Sequence, residues 1–416
     1  TSGARAIVID SEGIILAESQ YYFDKASDNL TKTWQQALFS LITQIPQHIR
    51  GEIRAIAING TSSTVLICDD RGNPIDAPIL YNDSRGVEVI DKVREIAPPN
   101  HTVISATSSL AKVLWYQEKL PLISPLVRVV RGNLFFLHQA DWLAFLLHGE
   151  LGISDYHNAL KLGYDVEELC YPEWIENLEI PFELPTIVTP GTQISEVTSK
   201  IAASLGLRKD CVVCAGTTDS IAAFLASGAK FPGEASTSLG STLVIKLLSS
   251  TRVDDAKYGI YSHRLGDLWL VGGASNTGGA VLKSFFSDAE LETLSSQIDV
   301  NKPSNLDYYP LLKPGERFPI NDPNLPPKLE PRPTNNAEFL QGLLESIASI
   351  EARGYQLLQQ LGATPLTCVY TAGGGAKNPT WTKIRQDYLQ VPVLQPTYSQ
   401  AAYGSAILAM RGINKK

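Results

Sequence analysis

Cysteine is scarce in this chain: five residues in 416, Cys68, Cys170, Cys211, Cys214 and Cys368, too few and too scattered for a disulfide framework. That excludes a small stapled secreted fold and implies a reduced, cytoplasmic chain, or a stromal one if the source is a plant. The one close pair, Cys211-Val-Val-Cys214, has zinc-like spacing. It lies in an apolar run ending at Ala215, however, where a strand turns i and i+3 to opposite faces, so two buried thiols are expected there rather than a metal site. The six histidines form no i,i+4 pair on a helix and read as core or surface residues. Positive charge is not in surplus either. Thirty-five Lys and Arg against 43 Asp and Glu leave −8, so no basic field draws in nucleic acid or anionic lipid. Apolar stretches such as 134–137 and 145–147 fall far short of the roughly 20 residues that span a bilayer. Neither a nucleic acid nor a membrane is an expected partner. Residue 1 is Thr, which leaves targeting unread.

What is present is length and apolar content, 44% hydrophobic and 19% charged, enough for two cores and hence two domains. Two segments open on the same plan, which suggests an internal duplication. The first runs from Thr1-Ser-Gly-Ala-Arg5 into Ala6-Ile-Val-Ile9, a turn at 10–13 and Ile14-Ile-Leu-Ala17, a hairpin. The second runs from Ser238-Leu-Gly-Ser-Thr242 into Leu243-Val-Ile-Lys-Leu247 and further strands near 259–262 and 269–271. Each is followed by a β-branched strand and a small-residue loop, 55–62 in the first and 368–376 in the second. Strands alternating with helices imply α/β layers. Apolar residues recur with a helical period from a Thr334/Asn335 cap to Gly362. Eight prolines between Pro310 and Pro333 forbid a regular helix or central strand there, and the tract reads as a long surface excursion. The helix candidates 220–228 and 401–409 are rich in Ala, Gly and Ser, small enough for close helix approach. The expected division is 1–228 and 229–399, with the last helix, in 400–416, crossing back to the first domain.

Three small-residue loops follow expected strands: Gly60-Thr-Ser-Ser63, Gly216-Thr-Thr-Asp219 and Gly373-Gly-Gly-Ala-Lys-Asn378. In an α/β sheet such loops gather at the carboxyl edge, where ligands bind, and glycine lets backbone approach a phosphate. None matches a Walker loop or a dinucleotide fingerprint, so neither a P-loop ATPase nor a Rossmann dehydrogenase is supported. Asp219 begins a small-residue helix whose dipole favours its ionised form. It suits either a base accepting a proton from an attacking hydroxyl or a helix cap. Tyr81-Asn82-Asp83-Ser84-Arg85, and Asp141-Trp142 with Ser154-Asp-Tyr-His-Asn158 flanking a helix that ends at Gly149, suit a substrate wall or structural turns equally. Trp381 suits a purine cover or core packing.

Gly-Thr-Thr-Asp at 216–219, Ser-Leu-Gly-Ser at 238–241 and Gly-Gly-Gly-Ala-Lys-Asn-x-x-Trp at 373–381, in that order, resemble the FGGY carbohydrate kinases over essentially the whole chain. Agreement is closer still with a D-ribulose-phosphorylating branch of cyanobacteria and plant plastids. It runs through Ser108-Ser-Leu-Ala-Lys112, Asp155-Tyr-His-Asn-Ala-Leu-Lys161, 216–226, Gly272-Gly-Ala-Ser-Asn-Thr-Gly-Gly279 and Gly315-Glu-Arg-Phe-Pro-Ile320. The resemblance implies an α/β fold of two ribonuclease-H-like (actin/hexokinase-like) domains with an interdomain cleft, a sugar-binding first domain and a nucleotide-binding second one. It implies ATP-dependent phosphorylation of a ketopentose, with D-ribulose as the substrate; a D-xylulose kinase and an actin-like ATPase are the alternatives. Carried over, Asp219 is the base, and Ser2, Gly3, Ala4 and Arg5 form a first-hairpin loop near sugar and γ-phosphate, with Ser62 a further sugar contact. Gly240, Ser241 and Thr242 hold phosphates, Gly374, Gly375, Asn378 and Trp381 surround the adenosine, and Mg2+ bridges the β- and γ-phosphates. The family's first strand, ending in Asp-Phe-Gly, has no counterpart ahead of Thr1. Either about ten further residues precede Thr1, as befits a strand, or this version is impaired, and the chain as given is expected to be less stable and less active than one with that strand restored.

Overall fold

In the computed structural model, residues 3–23, 29–123 and 133–414 are described, and the chain divides into two compact units. The first comprises 1–226 with 400–416, and the second 227–399. Among the described residues no helix is long and apolar enough to cross a membrane.

The first unit begins with an antiparallel hairpin, β1 (Gly3–Ile9) and β2 (Ile15–Tyr22). Its turn is locked locally: the Asp10 carboxylate accepts the N–H groups of Glu12 and Ile14, both at 2.9 Å, and Gly13 takes φ +81°, a conformation costly for other residues. The strand starts earlier than expected. Gly3, Ala4 and Arg5 pair with Tyr22, Tyr21 and Gln20, so they are ladder residues and not a loop, while Ser2 lies outside the described residues. Helices α1 (Leu30–Gln44) and α2 (Gln47–Arg50) lead to β3 (Ala55–Gly60). There follows an insertion holding two small sheets, β4 (Val65–Cys68) with β5 (Phe135–His138) and β6 (Ile153–Asp155) with β7 (Thr186–Val188). Around them lie α3 (Ile90–Ile96), α4 (Ser109–Ile123), α5 (Gln139–His148), α6 (Tyr156–Ala159) and α7 (Glu173–Glu176). Val65, Ile67, Val93, Leu110, Leu114 and Phe136 give this insertion a core of its own. The chain then returns through β8 (Gln193–Glu196) and α8 (Ser199–Leu205) to β9 (Val212–Thr218), which lies between β3, parallel, and β8, antiparallel. Cys211 and Cys214 are buried here, and burial pushes the Cys214 thiol up to about 11.

Helix α9 (Asp219–Ala226) follows β9 without a break, and α14 (Ala401–Asn414) packs on it and across β1, β3 and β9. The contact between the helices is close enough that a Cβ at Gly404 would strike the Ala222 carbonyl. This is the physical use of the small residues in both helices.

The second unit is a six-stranded sheet in the order β12 (Tyr261–Leu265), β13 (Leu268–Ser275), β11 (Leu243–Ser249), β10 (Glu234–Leu239), β14 (Cys368–Ala372) and β15 (Val393–Leu394). The first four pair antiparallel and the last two continue parallel, the ribonuclease-H-like order. Helices α10 (Gly279–Phe285) and α11 (Asp288–Ser295) follow β13. Helix α12 (Asn336–Gln360) is capped by Asn335, whose side chain accepts the Ala337 N–H at 2.9 Å, and α13 (Pro379–Leu389) joins β14 to β15. Leu340, Leu343, Leu344 and Ile347 of α12 are fully buried against the sheet.

The proline tract is irregular and, as its composition suggested, lies at the surface from 320 to 333, but its first part, 310–319, sends side chains into the core. Leu311, Glu316 and Phe318 are each 3% exposed or less. Phe318 fills the space above Gly273 and Gly354, where a Cβ would come within 2.5 and 2.7 Å of its ring. The buried Glu316 carboxylate accepts from Asn276 N at 2.7 Å and Tyr309 OH at 3.0 Å, and also from Ser275 Oγ. Proline bars ladder hydrogen bonding but not burial of the side chains between prolines, and that is why composition missed the buried residues of 310–319.

Candidate active site

In the first unit the parallel register Asn59↔Thr217 and Gly60↔Thr218 brings two strand ends side by side. Glycine is required for this closeness: a Cβ at Gly216 would strike the Ile58 carbonyl, and one at Gly60 would sit 2.9 Å from the Ala140 nitrogen. Residues 216–218 are therefore strand, not the loop expected from their composition. Asp219 is the first residue of α9, half-buried, where the helix dipole favours a carboxylate.

Beside it, the chain leaves β3 in a tight turn. Thr61 donates its N–H to Gln139 Oε1 at 3.0 Å, its hydroxyl lies 2.6 Å from that of Thr64, and Ser63 takes φ 62°. Half-buried Ser62 sits on the crest of this turn. Beneath it the Lys112 ammonium, with no exposed surface, donates to the Ser63 and Leu80 carbonyls. Burial pulls the Lys112 pKa down to about 7, with nearby Asp83 opposing. Asp83 and Arg85 form a two-point ion pair, and the guanidinium lies 4.6 Å over the Trp115 ring, so the 81–85 stretch is a braced turn.

Behind β9 is a fully buried polar layer. His157 Nδ1 lies 2.7 Å from Thr217 Oγ1. Asp155 accepts from the His157 and Asn158 N–H groups and from Asn158 Nδ2, and burial raises its pKa to about 7. Asp141 lies inside α5, not flanking it, and its carboxylate lies 3.0 Å from His138 Nδ1. These residues support the strand end from below.

In the second unit, loop 240–242 joins β10 to β11, with Ser241 exposed and Gly240 and Thr242 half-buried. Its carbonyls are tied to the start of α10, Gly279 N donating to Gly240 O at 2.9 Å and Ala280 N to Ser241 O at 3.1 Å. The 373–377 turn packs directly on it: Gly373 takes φ +86°, and a Cβ there would lie 2.6 Å from the Leu239 carbonyl. Gly374 is exposed with nothing near its missing Cβ, a bare backbone surface. Asn378 caps α13, accepting Trp381 N at 3.0 Å and donating to Ser295 Oγ at 2.8 Å. Trp381 is 2% exposed and packs under Gly375. Of its two expected fates the structure gives core packing, so it is the floor of the glycine turn and not a cover for a base.

Both units of the chain match known proteins. The model of the FGGY family of carbohydrate kinases, N-terminal domain, matches residues 1–226, and that of the C-terminal domain matches 235–413. The chain belongs to the FGGY family of carbohydrate kinases. The kinase is 25% identical over 382 residues to a xylulose kinase of Staphylococcus epidermidis, covering 87% of this chain and 74% of that one. Its fold matches the crystal structure of a xylulose kinase from Brucella ovis, with TM-score 0.86 at 20% identity over 100% of this chain and 89% of that one. It likewise matches the crystal structure of Plasmodium falciparum glycerol kinase with ADP, with TM-score 0.83 at 17% identity over 99% and 88%.

The kinase thus gathers Ser62 and Asp219 at one pair of strand ends, and Gly240, Ser241, Thr242, Gly374 and Gly375 at another. Gly3, Ala4 and Arg5 are ladder residues at the start of β1. Sequence reading missed Gln139 and the buried ion pair Glu351–Arg385. The second had a signal, since Glu351 and Tyr355 interrupt an otherwise apolar stripe on α12.

Proposed function

We propose that this kinase transfers the γ-phosphoryl group of ATP to the terminal hydroxyl of a ketopentose, converting D-ribulose to D-ribulose 5-phosphate, with the sugar held by the first unit and the nucleotide by the second. The observation that carries the reading is the β3–β9 register, which sets Asp219 next to the Ser62 turn. The motifs at 108–112, 155–161 and 315–320 favour D-ribulose, and three of their residues, Lys112, Asp155 and Glu316, are buried supports of the two sites.

In this reading Asp219 accepts the hydroxyl proton as the sugar oxygen bonds to the γ-phosphorus, while the bond from phosphorus to the β-bridging oxygen breaks and ADP leaves. The transition state is mostly electrostatic, so the protein's part is to orient the sugar hydroxyl and to hold the phosphates. Ser2, Gly3, Ala4, Arg5 and Ser62 contact the sugar. The N–H and hydroxyl groups of 240–242 take phosphate oxygens, and the open backbone at Gly374 and Gly375, beside Asn378, takes the adenosine. Residues 240–242 carry no cation, a donor set that fits phosphates arriving with Mg2+. That ion supplies the charge that offsets the β- and γ-oxygens.

D-Xylulose is the second reading, favoured by relatives named xylulose kinase. A few pocket contacts, worth about 1–3 kcal/mol each, separate such sugars. ADP release is measured with D-ribulose, D-xylulose, gluconate and glycerol at matched concentrations. The highest kcat/KM on D-ribulose is the expected result, preference for D-xylulose selects the second reading, and ADP release indifferent to every sugar overturns both.

A further inference from the structure

The second unit buries a charged cluster that touches neither candidate loop and yet holds the strands from which both emerge. Arg385 of α13 donates through Nε and Nη2 to the Glu351 carboxylate of α12, at 2.6 and 2.7 Å. Its Nη1 donates to Thr371 Oγ1 on β14 at 2.7 Å. The Thr237 hydroxyl on β10 donates to Glu351 Oε1 and lies 2.8 Å from the Tyr355 hydroxyl, one turn further along α12. All five residues are 3% exposed or less. Thr237 and Thr371 are direct partners in the parallel ladder. Beyond Thr237 the chain runs on to Gly240, Ser241 and Thr242; beyond Thr371 it reaches Gly373, the residue that packs on the Leu239 carbonyl. Helix α13, which carries Arg385, starts at Asn378 and the buried Trp381.

A buried ion pair is poor value as a source of stability, because desolvation consumes most of its attraction and apolar residues of like volume serve as well. What an Arg–carboxylate fork supplies is directional geometry. Here one guanidinium reaches both a helix and a strand, and the carboxylate it holds reaches the neighbouring strand. The cluster therefore fixes β10, β14, α12 and α13 relative to one another at the level just beneath the two loops.

We propose that Arg385, Glu351, Thr237 and Thr371 form a positioning network that sets the spacing of the 240–242 and 373–375 loops and thereby the affinity for nucleotide. The inference rests on the reading that these loops bind ATP. None of the four is a catalytic residue; each acts through the backbone that it anchors.

The test uses the full chain and its Thr371→Val, Thr237→Val and Thr371→Ser variants. Valine keeps the volume and loses the hydroxyl, while serine keeps the hydroxyl. Calorimetry with Mg2+–ADP gives nucleotide affinity, steady-state assays give KM for ATP and for sugar separately, and thermal melts give stability. The network predicts that each valine variant binds ADP about tenfold more weakly, within the range by which residues that do not touch a ligand modulate its site. KM for ATP rises in parallel, KM for sugar is unchanged, and Thr371→Ser binds as the parent does. Valine variants that melt earlier but keep ADP affinity overturn the proposal, and so does an equal rise in both KM values. A parent chain that fails to bind ADP removes the nucleotide reading itself, and the proposal with it.

Discussion

Raising the pH from 7 to 8.5 is expected to stabilise the first unit, through Lys112. Its ammonium has no exposed surface, and burial brings its pKa from the ordinary 10.5 down to about 7. The folded chain therefore gives up this proton near pH 7, whereas the unfolded chain keeps it to about 10.5. Between those values the unfolded state binds more protons, so stability rises with pH. One pH unit corresponds to about 1.4 kcal/mol, which makes the gain over this window about 2 kcal/mol. Other buried groups change elsewhere. Asp155, raised to about 7, reduces stability as pH climbs from its ordinary 3.8 and is half titrated at 7, so it takes back a small part of the gain before pH 8; His148, lowered to about 4 by burial, acts below its ordinary 6.5. The Cys68, Cys211 and Tyr116 groups, all raised by burial, oppose the gain only as pH nears their ordinary values of 9 to 10. Urea unfolding of the parent and of Lys112→Met at half-unit steps from pH 7 to 8.5 isolates the effect. The parent curve should climb, and the Met curve should fall slightly as Asp155 completes its ionisation. Equal slopes in the two proteins would refute the assignment. Because Lys112 also holds the Ser63 carbonyl beneath Ser62, Lys112→Met should raise KM for sugar and leave ADP affinity alone.

Asp219→Asn should keep ADP binding and lower sugar-dependent kcat by about 10²- to 10⁴-fold, the span of general-base catalysis; near-normal turnover would reduce Asp219 to a helix residue. Gly404→Ala forces a methyl into the Ala222 carbonyl and should cost the first unit about 1–3 kcal/mol, read from its melting temperature; an unchanged melt would mean that α14 shifts freely. Phe318→Ala empties the space above Gly273 and Gly354 and should cost the second unit about 3–5 kcal/mol in urea unfolding. A loss under 1 kcal/mol would return 310–319 to the surface.

Elements that announce themselves through local pattern were legible in the sequence. Helix α12 shows its period and its Asn335 cap, and the β1–β2 hairpin shows its Asp-to-Gly turn, because both depend on neighbours in the chain. Residues 216–218 were misread because Gly and Thr are turn residues by composition, whereas here glycine serves a close parallel strand, a fact of tertiary packing. The burial of Glu316 and Phe318 was hidden for a related reason: their partners at Ser275, Asn276 and Gly354 are distant in sequence. The structure sets Asp219, Ser62 and the glycine loops at strand ends, positions that a short motif marks in the sequence. The supports beneath them act across elements: Lys112 ends the 108–112 motif but nothing there shows which carbonyls it holds, Gln139 belongs to no motif, and Arg385 is signalled only through its partner Glu351 on α12.

The return of α14 to β1, β3 and β9 has a consequence for synthesis. A ribosome releases the opening hairpin hundreds of residues before the helix that covers it, so the first unit spends most of translation with an apolar flank bare, while every part of 227–399 emerges in an unbroken run. The earlier-made body must wait for 400–416 to complete it, so a stop codon near residue 400 would damage the half that was translated first.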